Sequence, residues 1–269
     1  MCELFAMSAR VPASVRFSFA EFSRHGGETA PHADGWGVAY REGRDARVLR
    51  EPAPASESAC VRFLQSYPLR SSLVLSHIRR ATRGAVALEN TQPFARELGG
   101  RLHLFAHNGD LPNVERIGGL GPAMPLGDTD SEHAFCGLLA RLAPIWRSAS
   151  GAPPSLVDRL GVLAPWAQEL RVLGPANFVY SDGEMLFAHA DRRKQRSGEI
   201  TPPGLWLLRR TCSVEPDHAS GVSIASESGP QEVALVASVP LSREHWQPLA
   251  PGELLAIERG VVVTRAPTE

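Results

Sequence analysis

Behind Glu3 the apolar side chains of Leu4, Phe5, Ala6 and Met7 are enough to predict a buried strand at the very start of the chain. Val15, Phe19 and Phe22 then recur at roughly helical spacing, and with Ser14 as a cap they predict a helix over 14–24, ended by His25-Gly26-Gly27. The segment Pro31-His32-Ala33-Asp34-Gly35-Trp36-Gly37 reads as a glycine-punctuated loop entering a strand at Val38-Ala39-Tyr40. Glu42-Gly43-Arg44-Asp45 reads as a hairpin turn back into Val48-Leu49. A helix is expected over 56–67, with Cys60, Phe63, Leu64 and Tyr67 on one face. Strands follow over 72–78 and 102–106, joined through a loop at Asn90-Thr91-Gln92-Pro93-Phe94.

A longer helix begins at Asp128 or Thr129 and runs to about Trp146, its core face carrying Phe135, Leu138, Leu139, Leu142 and Trp146. A second covers 156–173, interrupted or started at Pro165. Beyond it the pattern becomes one of strands, over 177–181, 185–189, 205–209, 222–226, 233–239, 253–258 and 261–265. Asp182-Gly183 and Arg259-Gly260 have the composition of tight hairpin turns. Many antiparallel strands with helices gathered in two blocks make an α+β layout of sheets covered by helices, rather than alternating βαβ units. Neither an internal repeat nor a long linker divides the pattern, so one domain over 1–269 is expected.

Composition narrows the function classes. The chain has 269 residues, 43% of them hydrophobic and 21% charged, which is ordinary globular usage. Lys and Arg total 28 against 29 Asp and Glu, a formal net charge of −1, so no charge excess points to nucleic acid or a membrane surface. Cys2, Cys60, Cys136 and Cys212 are too scattered for a zinc motif or a secreted disulfide framework. With no basic-then-apolar leader and no long apolar run, a cytoplasmic protein with reduced thiols is expected. The histidines lack a metal-ligand spacing, and the glycine pairs do not follow a strand as a phosphate-binding loop does, so no metal and no cofactor is expected.

Four positions stand out chemically. Removal of Met1, favoured by the small residue behind it, would give Cys2 both a thiol and a free α-amine. Their ordinary pKa values, about 8.5 and about 7.7–8.0, lie close enough for the amine to act as local base. The plainer reading makes Cys2 a small apolar residue at the start of a core strand. Asn108-Gly109 ends an apolar strand and offers a side-chain amide and a glycine N–H as oxyanion donors; the same dipeptide also favours a type I′ turn. Arg79 follows an apolar strand and could clamp a carboxylate with its planar fork, whereas Arg80 and Arg83 read as exposed arginines. Asp130 either caps the helix it precedes or pairs with a substrate ammonium group. Thiol, amide donor, arginine and aspartate together describe a site for an α-amino acid with a side-chain amide.

In this order the motifs resemble those of the class II glutamine amidotransferases, which are N-terminal-nucleophile hydrolases. Met1-Cys2, Asp34-Gly35-Trp36-Gly37, the run from His77 to Gly84, His107-Asn108-Gly109 and Thr129-Asp130-Ser131-Glu132 carry the resemblance. The opening residues and Leu88-Glu89-Asn90-Thr91-Gln92-Pro93-Phe94 are similar to the small, stand-alone YafJ-like members. The resemblance implies a four-layer αββα sandwich of two antiparallel sheets. It implies Cys2 as nucleophile toward the side-chain amide of glutamine, giving glutamate and ammonia through a thioester. Asn108 and Gly109 would hold the oxyanion, and Arg79, Thr82 and Asp130 would bind the substrate.

Many fused members have Trp, His and His where this chain has Arg80, Arg83 and Gln92, so an altered pocket rim is expected, suited to a larger γ-glutamyl compound. The ammonia would pass to a separate acceptor protein or simply be released. Two other readings stay open: a γ-glutamyl amide hydrolase acting on a small metabolite, and a catalytically idle binding module. Neither nucleic acid nor membrane is expected as a partner.

Overall fold

The computed structural model describes residues 2–17, 34–67, 69–81, 83–149, 152–195, 197–212, 222–226 and 229–267. In chain order the described elements begin with β1 (Glu3–Phe17), β2 (Trp36–Glu42), β3 (Asp45–Glu51), α1 (Ala59–Ser66) and β4 (Arg70–Ile78). Next come β5 (Phe94–Leu98), β6 (Arg101–Gly109), α2 (Asp130–Ser148), α3 (Leu156–Leu173), β7 (Ala176–Ser181) and β8 (Leu186–His189). The remainder is strand: β9 (Arg193–Lys194), β10 (Ile200–Thr201), β11 (Trp206–Cys212), β12 (Val222–Ala225), β13 (Gln231–Ala237), β14 (Gln247–Pro248), β15 (Glu253–Glu258) and β16 (Val261–Pro267).

Two antiparallel sheets face each other. One runs β14-β11-β13-β1-β4-β2-β3, with β12 also paired to β1; the other runs β16-β15-β8-β7-β6-β5. Between them Leu4 and Ala6 of β1 and Leu75 of β4 share an apolar layer with Leu104 and Ala106 of β6 and Val179 of β7. Outside the first sheet, Phe5, Met7 and Val74 pack with Val61 and Leu64 of α1. Outside the second, Phe105 and Phe178 pack with Phe135 and Leu138 of α2 and with Leu163 and Trp166 of α3. The layer order is therefore helix, sheet, sheet, helix, as expected. Strands covered on both faces must be apolar at successive positions, which is why β1 carries Leu4, Phe5, Ala6 and Met7 in a row, all fully buried. Each such large side chain contributes about 1.5–3 kcal/mol when withdrawn from water.

Several expectations need correction. Residues 14–17 form strand, not helix: Ser14 pairs with Arg70 on one side and Ala225 on the other, and the rest of the expected 14–24 helix lies outside the described residues. In α1 the buried positions are Val61 and Leu64, while Phe63 and Tyr67 are 54% and 67% exposed, so Leu64 of the predicted face turns inward and Cys60 packs partly buried against the same core, but the two aromatics do not. β5 starts at Phe94, the last residue of the expected loop, and runs to Leu98, a stretch for which no element was expected. α3 passes through Pro165 without interruption from its cap at Ser155. The hairpin turns at Gly43, Gly183 and Gly260 are present, each glycine at positive φ.

The topology converges on one end of the sandwich. β1 is flanked by β13 and β4, and Glu3 pairs with Ile78, so the chain leaves β4 as Arg79-Arg80 directly beside Cys2. Trp36 also pairs with Ile78, which brings Asp34-Gly35 to the same end. From the facing sheet, β6 delivers His107-Asn108-Gly109 there.

Candidate active site

Cys2 sits half-buried just ahead of β1. Its Sγ accepts the backbone N–H of Arg80 at 3.2 Å and lies 3.4 Å from the Arg80 carbonyl, toward which the thiol donates. Burial pushes the thiol pKa above its ordinary value, against the lowering pull of the Arg80 N–H and of the Arg79 charge. Such a thiol is protonated near neutral pH and needs a base before it can attack.

Asn108 is buried, and its Nδ2 donates to the Cys2 carbonyl at 2.6 Å and toward Ser238 Oγ at 3.4 Å. The dipeptide Asn108-Gly109 is no turn: both residues remain in β6, paired with Asn177 and Ala176 of β7. Asn177 Nδ2 in turn donates to the Asn108 carbonyl at 3.0 Å. At Gly109 a Cβ would stand 1.8 Å from the Pro175 carbonyl oxygen, so only glycine fits against that backbone.

Arg79 is buried as well, and its guanidinium faces the loop that follows. Nη1 donates to the Ala85 carbonyl at 2.9 Å, and Nη2 to those of Arg83 at 2.9 Å and Gly84 at 3.2 Å. These contacts use three of the five N–H donors of a guanidinium. Arg80 and Arg83 are exposed, as expected, and Arg83 Nε pairs with Asp110 at 3.2 Å across the site's edge. Asp34 Oδ2 accepts the Ala81 N–H at 2.8 Å, fixing the same loop from the other side. Thr82 lies outside the described residues.

Asp130 opens α2 behind its cap, Thr129, whose Oγ1 accepts the Glu132 N–H at 3.2 Å. Its own Oδ2 accepts the Leu111 N–H at 2.7 Å, joining the start of α2 to the chain just past Gly109. His107 strengthens that junction through a 2.9 Å contact between Nδ1 and Ser131 Oγ, and burial holds its pKa below the ordinary value. Gln92 is buried rather than on a rim: its Oε1 accepts the His107 N–H at 2.6 Å.

Of these residues Cys2 and Asn108 meet directly; Gly109 follows Asn108 in β6, Arg79 precedes the Arg80 N–H that meets the thiol, and Asp130 holds Leu111 two residues past Gly109, all at this end of the sandwich. Sequence reasoning missed what supports it. Glu3, fully buried, receives Arg193 Nη2 at 2.8 Å, and Arg193 Nη1 reaches the Ser238 carbonyl at 2.7 Å. Ser238 Oγ also accepts the Leu4 N–H at 3.0 Å, placing a hydroxyl between the first strand and the Asn108 amide. The acid at position 3 of an apolar run was a usable signal; Arg193 and Ser238 carried none. Among the described residues no cluster of His, Cys, Asp or Glu is arranged to hold a metal ion, and no helix is long and apolar enough to cross a membrane.

Comparison with known proteins agrees with this architecture. Residues 1–269 match the family model described as Glutamine amidotransferases class-II. YafJ of Escherichia coli (strain K12) is 38% identical over 255 residues, covering 94% of this chain and 96% of that protein. A crystal structure from Pseudomonas aeruginosa PA01, described as a predicted glutamine amidotransferase, superposes with a TM-score of 0.73 at 35% identity, covering 98% of this chain and 100% of that one. The Bacillus subtilis glutamine phosphoribosylpyrophosphate amidotransferase shares the fold, with a TM-score of 0.58 at 16% identity over 100% of this chain and 49% of its own. The chain belongs to the class II glutamine amidotransferases.

Proposed function

We propose that this chain is a stand-alone glutamine amidotransferase domain over 1–269 that hydrolyses the side-chain amide of glutamine through a Cys2 thioester. The observation that carries the reading is the position of residue 2. Its thiol lies against the Arg80 N–H and its carbonyl takes the Asn108 amide at 2.6 Å, so nucleophile and oxyanion donor are neighbours before any substrate enters. Excision of Met1 turns the nitrogen of residue 2 from an amide into an amine of pKa about 7.7–8.0, a suitable base for a thiol raised by burial.

In this reading the thiol proton passes to the α-amine as sulfur bonds to the amide carbon. The amine returns the proton to the leaving nitrogen, the C–N bond breaks and ammonia departs. Water then cleaves the thioester, yielding glutamate and restoring the thiol. Asn108 Nδ2 and the Gly109 N–H stabilise the charge on oxygen in both steps. Arg79 and Thr82 bind at the α-carboxylate side of the substrate, and Asp130 binds the α-ammonium group. This reading places the reaction in the cytoplasm, with the ammonia passed to a separate acceptor protein or simply released.

Two measurements test it. Intact mass should show Met1 removed in active protein. Cys2→Ala and Cys2→Ser should keep the wild-type melting temperature while glutamate release falls by roughly 10⁴-fold or more. Full activity in either variant, or with Met1 still attached, would reject the mechanism.

A second reading rests on Arg80 and Arg83, both exposed and in the stretch whose Arg80 N–H meets the thiol. They would suit a γ-glutamyl amide larger than glutamine, and turnover of such amides measured against free glutamine separates the two.

A further inference from the structure

Asn90 is 1% exposed and touches neither the thiol nor the oxyanion donors, yet its side chain spans the two anchors assigned to the substrate's amino-acid end. Its Nδ2 donates to the Ala85 carbonyl at 3.2 Å, and that same carbonyl receives Arg79 Nη1 at 2.9 Å. Its Oδ1 accepts the Asp128 N–H at 2.8 Å, two residues before Asp130 and one before the cap Thr129. The backbone on both sides is shaped around it. A Cβ at Gly84 would meet Asn90 Nδ2 at 2.9 Å, and one at Gly127 would meet Oδ1 at 2.1 Å. The amide is therefore wedged between two glycines, one in the loop that holds Arg79 and one in the turn that launches α2. Gly127 is fixed further by its N–H to Glu132 Oε2 at 2.8 Å, and Glu132 is paired with Arg96.

We propose that Asn90 is a positioning residue that sets the separation between Arg79 and Asp130, and so selects a substrate carrying both an α-carboxylate and an α-ammonium group. The proposal rests on the glutamine reading above and adds to it the device that measures the amino-acid end. A planar amide suits the task because it presents a donor and an acceptor at fixed separation to the two loops. Truncation frees each loop to shift while leaving Cys2, Asn108 and Gly109 in place.

The test compares two reagents for the thiol. Iodoacetamide alkylates Cys2 without using the amino-acid anchors, whereas the glutamine analogue 6-diazo-5-oxo-L-norleucine must occupy them first. In Asn90→Ala, inactivation by the diazoketone should slow roughly 10- to 100-fold, as expected for misplaced binding groups. Alkylation by iodoacetamide should stay within about twofold of wild type, and the loss with glutamine itself should fall mainly on KM. Asn90→Asp keeps the acceptor for the Asp128 N–H but sets an oxygen against the Ala85 carbonyl. It should show the same selective loss, and it decides the matter should Asn90→Ala fail to fold. Equal slowing with both reagents, or no slowing with either, overturns the proposal. Wild-type protein that reacts no faster with the diazoketone than with iodoacetamide overturns the glutamine reading and this inference together, an outcome distinct from a wild-type-like Asn90 variant.

Discussion

Gly109 shows how much one residue can be constrained without any side chain of its own. The Pro175 carbonyl fills the space a Cβ would need, at 1.8 Å, so the strand end is pressed against the backbone leading into β7. Gly109→Ala must push β6 away from that carbonyl, and with it the Asn108 amide that reaches Cys2. Such overpacking costs on the order of 1–3 kcal/mol. The variant should show a lower urea midpoint and a loss of glutamine turnover larger than its loss of stability; wild-type turnover would mean that Asn108 needs no support from this contact. At this scale Cys2, Asn108 and Arg79 stood out in the sequence because each is a reactive or polar group at the start or end of an apolar run. Ser238 was not, since a serine after a strand looks the same whether its hydroxyl meets water or a buried amide. Thr82 remains a proposal on the family motif.

Among the elements, α1 is where periodicity misled. Cys60, Phe63, Leu64 and Tyr67 share a helical face, and Phe63 and Tyr67 do meet, with ring centroids 5.3 Å apart, but on the solvent side. The sheet receives Leu64 of that face together with Val61 beside it, each 3% exposed. A short amphipathic helix offers two plausible stripes, and only its packing partner chooses. Leu64→Ala should therefore cost about 2–5 kcal/mol. Phe63→Ala should stay within about 0.5 kcal/mol, as a surface position does. Chemical denaturation of the two variants checks the assignment, and a reversed order would put Phe63 back in the core. Strand β1 carries a related lesson: its pairing with β4 shifts register between Ser8 and Ala13 and ends at Ser14, and the extended chain continues to Phe17 because β12 bonds to it there. Spacing that suits a helix cannot outweigh pairing with a neighbouring strand.

For the whole molecule the testable quantity is the response of stability to pH. Burial pushes His103 and His189 down to about 4. His103 Nε2 donates to the Leu98 carbonyl at 3.0 Å, so Nδ1 is the acceptor for the Tyr180 hydroxyl at 2.7 Å; His189 Nδ1 donates to the Ala176 carbonyl at 2.7 Å. Unfolded, both titrate near their ordinary value of about 6.5. Between about 6.5 and 4 the unfolded chain thus binds more protons than the folded one. Stability is complete above that window and falls as pH drops through it, by up to about 1.4 kcal/mol per unit for each histidine. Unfolding in urea at pH 7.5 and pH 5 should differ by about 2 kcal/mol for each. His189→Asn, which keeps a donor for the Ala176 carbonyl, should remove its share of the difference. An unchanged slope in that variant would show that His189 is not a source.

Periodicity and composition determined that this chain builds antiparallel sheets covered by helices, because burial on one or both faces imposes a pattern that no partner is needed to read. The candidate site residues likewise stood out in the sequence, since a thiol, an amide and a guanidinium at strand ends are conspicuous in the line of residues. Only the tertiary structure decided which face of α1 turns inward. It alone also decided that Asn108 stays in its strand, and that Glu3, Arg193, Ser238 and Asn90 stand behind the site. Those choices depend on hydrogen bonds and packing between segments up to 234 residues apart, and a buried polar group reveals its partner only once the two have met.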